Sequence, residues 1–306
     1  MSSPVTVSGR SFTIVPRGPF SLEESATFGF GQRADEGFDG VMRLAFCLDN
    51  YRDQVGVELR QDADGVHGIV AGAGDLSAIE RHVARVLSLD HDGDEFLRVG
   101  ERDPVIGRLQ AAAPGLRPPL FYSPYEGAAW SIISARRPAL QMAEVRRRMS
   151  EAHGRVFELA GHQLAALPTP DRMLAIETFP GLTEEKIDRL HGVARAALSG
   201  QLDVDRIQAM EPAKAMADLQ TIKGIGPFYS ALVVIRACGL ADVLPTNEPK
   251  ALELTGQLYG LTKPPTPAEF EAMAAPWRPF RTWAVVFIRA AGPRVLARAA
   301  ERQADA

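Results

Sequence analysis

TIKGIGPFYSALVVIRACGLADVLPTNEPKAL, residues 221–252, sets a short glycine turn between two helical patterns and follows it with a proline-flanked acid. Upstream, AKAMADLQ (213–220) turns Met216, Leu219 and its alanines to one face. Downstream, FYSALVVIRACG (228–239) is almost wholly apolar, as a buried helix is. Gly224 and Gly226 permit positive φ and leave no side chain over the turn. The N–H groups of such a turn, with the partial positive charge of the helix beyond it, are suited to an anion. A phosphate diester held this way is bound without its sequence being read. A G-x-G also serves as a plain tight helix–helix connection, and both readings stand at this point. Beyond the apolar helix, Pro245-Thr246-Asn247-Glu248-Pro249 opens another helix with Glu248 at its start.

The 306 residues leave room for two or three domains, and 46% hydrophobic with 24% charged residues is ordinary for a globular protein. No segment has the length of a membrane span, and MSSPVTVSGRSF lacks the features of a signal peptide, so a cytoplasmic protein is expected. Cys47 and Cys238 are too few for a thiolate metal set, and the six histidines show no ligand spacing. A catalytic transition metal is not expected. A net charge of −4 argues against a general nucleic-acid coat protein but leaves room for a local basic groove.

Residues 11–72 read as strands at 11–16, 41–48, 54–60 and 66–71, with Asp64-Gly65 as a hairpin turn. A helix follows over 76–87, with Ser77 and Glu80 as a capping box. From Pro104 the pattern is helical: 104–112, 124–135, 138–153, 155–166, 170–176, 183–198, 204–208, 212–219, 227–239, 248–258, 267–275 and 279–291. Proline and glycine punctuate these helices, among them Gly292-Pro293, and ERQADA reads as a frayed tail. The expected division is an α+β domain over 1–103 and a helical region of two subdomains over 104–306.

The string L-Q-x-I-x-G-I-G-P before a buried helix resembles the helix-hairpin-helix of DNA glycosylases. GRLQAAAPGLRPPLFYSPYEGAAWSII (107–133), LPTPDRMLAIETFPGLTEEKIDRLHGVARAALSGQL (167–202) and WRPFRTWAVVFIRAAG (277–292) resemble the 3-methyladenine DNA glycosylases of AlkA type. The resemblance covers residues 105–292, and the first hundred only by layout. It implies a TATA-binding-protein-like α+β N-terminal domain followed by a mainly α-helical helix-hairpin-helix core, acting as a monomer on duplex DNA that carries a damaged base. It also implies a monovalent cation, sodium or potassium, held by the carbonyls of Gln220, Ile222 and Gly224, with Gly224, Gly226 and Phe228 on the DNA.

In that family a catalytic aspartate opens the helix after the hairpin, and the matching residue here is Glu248. Breaking an N-glycosidic bond builds positive charge on the sugar. A carboxylate at about 4 Å contributes roughly 4 kcal/mol at an effective dielectric near 20, and more of it in the transition state than in the ground state. A carboxylate one methylene longer than the family's displaces the oxygens by about 1.5 Å. A helix-N-terminal acid facing the dipole is the other reading of Glu248.

Phe228 stands where lyase relatives carry a nucleophilic lysine, so a monofunctional enzyme is expected, leaving an abasic site. The base pocket maps to Phe228, Pro249 and Arg289. Arg289 has three readings: a partner of Glu248, a donor to an oxygen-bearing base, or a solvated arginine. Arg136, followed by Arg137, takes the position of the family's wedge, which fills the gap left by a flipped nucleotide. Alternatively Arg136, Arg137 and Arg146-Arg147-Arg148 are solvated helix faces. Trp130, Trp277, Trp283, Met142 and Met149 read as packing residues. Two further functions stay open: a damaged-DNA-binding protein of the same fold without catalysis, supported by the altered acid and aromatic cage, and a hydrolase of smaller nucleosides, which the phosphate-binding turn disfavours.

Overall fold

Alternating apolar residues before position 72 predict strands, and the computed structural model, which describes residues 4–28 and 37–304, places four of them there. They are β1 (Val7–Ile14), β2 (Met42–Cys47), β3 (Gln54–Asp62) and β4 (Gly65–Ala71), antiparallel in the order β1-β4-β3-β2. Asp62 pairs with Gly65, so the hairpin turn is Ala63-Asp64, one residue before the expected pair. The Asp62 side chain accepts the Asp64 N–H at 2.8 Å and fixes that register.

Among the described residues fourteen α-helices and a second, two-stranded sheet complete the chain. In chain order the helices are α1 (Leu22–Thr27), α2 (Leu76–Val86), α3 (Gly93–Arg102), α4 (Pro104–Ala112), α5 (Pro124–Ser134), α6 (Ala139–His153), α7 (Pro170–Leu174), α8 (Glu184–Leu198), α9 (Val204–Gln208), α10 (Pro212–Leu219), α11 (Pro227–Arg236), α12 (Pro249–Leu258), α13 (Pro267–Met273) and α14 (Arg281–Ala304). The fold is thus mixed helix and sheet. None of the helices among the described residues is long and apolar enough to cross a membrane.

Three expectations are corrected. The helix expected over 155–166 is a β-hairpin, β5 (Val156–Leu159) with β6 (His162–Ala165), turning through Ala160 and Gly161 at positive φ. Phe157 and Leu159 alternate with exposed residues and pack with Ala45, Ala71 and Ala166. Phe157 lies where a side chain at Gly56 would be, 2.8 Å from an ideal Cβ, so a glycine in the sheet makes its room. At α2 the N-cap is Asp75, whose carboxylate accepts from Ala78 at 2.7 Å; Ser77 lies inside the helix, so the expected capping box does not form. Finally, α14 runs through Pro293 to Ala304 instead of stopping at Gly292-Pro293, so residues 301–304 of the expected frayed tail continue it, while 305 and 306 lie outside the described residues. Beyond the proline, Val295 and Leu296 pack on the core and the Arg294 guanidinium binds Glu24 at 2.8 Å. These contacts offset the roughly 3 kcal/mol that proline costs inside a helix.

Contacts divide the described chain into two units, and not at 103/104. The first holds residues up to 15, from 37 to 90 and from 119 to 239; the second holds 16–28, 91–118 and 240–304. The reason lies in α3, an amphipathic helix that is absent from the expected elements. Phe96 on α3 packs its ring at 5.6, 5.2 and 4.9 Å from those of Phe280, Trp283 and Phe287, so the segment before Asp103 joins the later helices rather than the sheet. Trp277 and Trp283 are buried there, and Met142 and Met149 are buried in the first unit, as read.

Asp103 ties the second unit together. It is 7% exposed. One oxygen accepts from the Trp277 indole at 2.7 Å and the Tyr259 hydroxyl at 2.5 Å, and the other caps α4 through Val105 at 2.9 Å. Burial, reinforced by the hydrogen bond to Asp103, pushes the Tyr259 phenol well above its ordinary range. Asp103→Ala strands the buried Trp277 indole and the half-buried Tyr259 hydroxyl, at about 1–3 kcal/mol each, and removes a cap of about 1 kcal/mol. Urea unfolding followed by tryptophan fluorescence is expected to lose roughly 3–6 kcal/mol. A loss below about 1 kcal/mol would show that the donors find other partners.

Candidate nucleic-acid interface

The turn between α10 and α11 is closed by Ile222 and Ile225, which are buried and joined by the Ile225 N–H donating to the Ile222 carbonyl at 3.0 Å. Thr221, Lys223, Gly224, Pro227 and Phe228 face outward. The two glycines do different work. Gly224 has φ +97°, and a Cβ there would lie 2.7 Å from Cδ1 of Ile132 on α5 and 2.9 Å from Cδ of Arg189 on α8. Gly226 is extended, with no heavy atom within 4 Å of its would-be Cβ. It is also the N-cap of α11 and offers no side chain to the helix. Among the described residues the amides of Gly226, Phe228 and Tyr229 donate to nothing. The Gln220 and Gly224 carbonyls likewise accept no hydrogen bond.

Cations gather beside the turn. Arg136 and Arg137, in the loop after α5, are exposed and pair with no carboxylate among the described residues. Arg136 holds φ +57°. Lys186, at the start of α8, donates its ammonium to the carbonyls of Ile133 at 2.6 Å and Ala135 at 3.1 Å. Burial, and then the charges of Arg137 and Arg189, press the Lys186 ammonium below its usual pKa. Arg189 pairs with Glu185, and Lys223 with Asp188 at 3.2 Å. The next helix, α6, starts at Pro138, again without a side-chain cap. Of the arginine run, Arg146 is not solvated: it is buried against Glu126 at 2.5 Å, because its place on α6 faces α5. Sequence reasoning passed over Lys186 and Arg189, since LTEEKIDRL reads as an ordinary charged helix face.

In the second unit Glu248 is the N-cap of α12. Its Oε2 accepts the Ala251 N–H at 2.6 Å and its Oε1 binds Arg289 on α14. The Glu248 side chain is 24% exposed and that of Arg289 is 43% exposed. Two of the open readings thus hold together as geometry: the acid caps its helix, and Arg289 is its partner. Pro249 is exposed beside them. Phe228, 63% exposed with its ring edge against Tyr229 at 5.3 Å, belongs to the first unit.

The asymmetry of the glycines is testable by denaturation. Gly224→Ala is expected to lose roughly 1–3 kcal/mol through strain and the clash with Ile132. Gly226→Ala is expected to stay within about 0.5 kcal/mol. Equal losses would mean that both glycines serve only the turn.

No family model matches the chain. It is 21% identical over 214 residues to DNA-3-methyladenine glycosylase of Bacillus subtilis, covering 69% of this chain and 71% of that protein. It is 28% identical over 187 residues to DNA-3-methyladenine glycosylase 2 of Escherichia coli, covering 60% of this chain and 63%, less than two thirds, of that protein. The solved 3-methyladenine DNA-glycosylase from Archaeoglobus fulgidus matches with a TM-score of 0.73 at 19% identity, over 91% of this chain and 96% of that one, a likeness of fold. In sequence the chain is thus similar to DNA-3-methyladenine glycosylases, and in fold to a solved one.

Proposed function

We propose that the protein is a monofunctional base-excision repair glycosylase that hydrolyses the N-glycosidic bond of an alkylated base flipped from duplex DNA. The observation that carries this is the turn at Gly226, whose amides, free among the described residues, open a helix that no side chain caps; the turn packs at Gly224 on Ile132 of α5, and the loop after α5 carries two arginines that pair with no carboxylate among the described residues. Such a surface suits a phosphate diester. The relatives' activity supports the rest.

In this reading Glu248 stabilises the cationic sugar as the bond to the base breaks, and orients the water whose oxygen bonds to C1′. The products are the free base and an abasic site. The carboxylate enters the reaction by exchanging Arg289 for the substrate, and Arg289 then donates to the base. Pro249 supplies a further base contact, and within the first unit Phe228 meets the DNA, Arg136 fills the vacated stack and Arg137 takes the backbone. No lysine stands at position 228, which supports hydrolysis without strand scission. The carbonyls of Gln220, Ile222 and Gly224 are neutral oxygen donors, two of them without a hydrogen bond, and fit a sodium or potassium ion that would add positive charge toward a phosphate. The sheet β1–β4 with α2 is read as the TATA-binding-protein-like domain, supported by its antiparallel order. A monomer in the cytoplasm goes with this reading.

The test is a set of duplexes bearing different alkylated bases, treated with protein and then with hot alkali. Breaks at the lesion that need alkali and vanish in Glu248→Gln are expected. Breaks without alkali would contradict the monofunctional reading. Tight, salt-sensitive binding with no breaks on any lesion would leave a damaged-DNA-binding protein. Separately, Gly226→Arg fills the open space over the turn and is expected to weaken binding to all duplexes alike, by about tenfold or more. Unchanged binding would remove the turn from the interface.

A further inference from the structure

The loop that carries Arg136 is held in an unfavourable shape, and the structure shows what holds it. Helix α5 ends at Ser134, and its last carbonyls have no partner within the helix. The chain then passes through Arg136 at φ +57°, a left-handed conformation that costs a residue with a side chain. Among the described residues the backbone tie within the loop is the Arg137 N–H donating to the Ser134 carbonyl at 3.2 Å. The ammonium of Lys186 reaches across from α8 to the carbonyls of Ile133 and Ala135, on either side of that tie. Lys186 is itself fixed in the first turn of α8, where its own N–H donates to the Thr183 hydroxyl at 3.3 Å. Its charge complements the negative end of α5, although Arg137 and Arg189 both repel it.

We infer that Lys186 is a positioning residue, a brace that locks the α5–α6 loop so that Arg136 and Arg137 project as paired cations toward nucleic acid. The inference rests on the DNA reading above. Lys186 does not itself contact the strand, because its ammonium is spent on two carbonyls. Its two like-charged neighbours show why a lysine here is not simply a third phosphate ligand. The repulsion is accepted in return for a rigid loop, and a phosphate at Arg136 or Arg137 relieves it. A pre-set loop gives up less conformational freedom on binding than a mobile one.

The first arm of the test needs no DNA. Trypsin cuts the Arg136–Arg137 bond but not Arg137–Pro138. Under native conditions, with cleavage sites assigned by mass spectrometry, K186M is expected to be cut there about tenfold faster than wild type, the scale of one charge-assisted hydrogen bond. K186R, which keeps donor and charge, should stay near wild type, and matched thermal midpoints separate loop release from general unfolding. The second arm measures anisotropy on a duplex carrying a tetrahydrofuran abasic analogue. K186M is expected to weaken binding about tenfold alone but less than about twofold in an R136A/R137A background, the coupling of a shared element. Equal trypsin rates in K186M and wild type would overturn the brace. Independent, multiplying losses in the second arm would overturn its link to the arginines. If wild type fails to bind the duplex while the trypsin difference holds, the DNA reading falls and the projection toward nucleic acid falls with it, but the brace stands.

Discussion

Every α-helix ends in backbone groups that its own ladder cannot pair, and in this protein the treatment of those ends separates scaffold from site. From α1 to α13 each N-terminus receives a side-chain oxygen, for example from Ser21, Asp92, Thr169 and Asp203, except at α6 and α11. Those two follow the arginine loop and the glycine turn. A cap is worth about 1 kcal/mol, so leaving it out is a small loss of stability in exchange for amides that stay free for an anion. At the opposite kind of end, the C-terminus of α5, Lys186 does what a cap would do and sets the loop at the same time.

Glu248 combines both uses in one carboxylate. It caps α12 through one oxygen and holds Arg289 through the other. The pair is partly exposed, and ion pairs of that kind are worth at most about 1 kcal/mol. A carboxylate within about 4 Å of a sugar cation contributes roughly 4 kcal/mol at an effective dielectric near 20. On the proposed reading, the contact with Arg289 must be exchanged for the substrate before the carboxylate can act. Asp103 is the contrast: it too opens a helix, but its oxygens accept from Trp277, Tyr259 and Val105 and it is itself buried.

Where sequence reading went astray, a tertiary contact overrode a local signal. Residues 155–166 carry apolar spacing that fits a helix, but Phe157 has a seat over Gly56 in the sheet and the segment pairs as strands. Pro293 signals a stop, but Val295, Leu296 and Arg294 have partners beyond it. The segment 93–102 sets Phe96 and Val99 among charges as an amphipathic helix does, a local signal passed over here, and Phe96 anchors it among aromatic rings far along the chain. Arg146 reads as surface in a run of three arginines and is buried because Glu126 awaits it.

The glycine turn, the apolar helix after it, the four N-terminal strands and the acid that opens α12 were legible from residues alone. Each is a local matter: positive φ needs glycine, alternation needs a two-sided strand, and a proline after an acid marks a helix start. Three things depended on the packed chain: which of the two glycines faces open space, that Arg289 holds Glu248, and that Lys186 holds the arginine loop. They join residues far apart in sequence, and no local pattern records which distant side chain will be near enough to take a hydrogen bond.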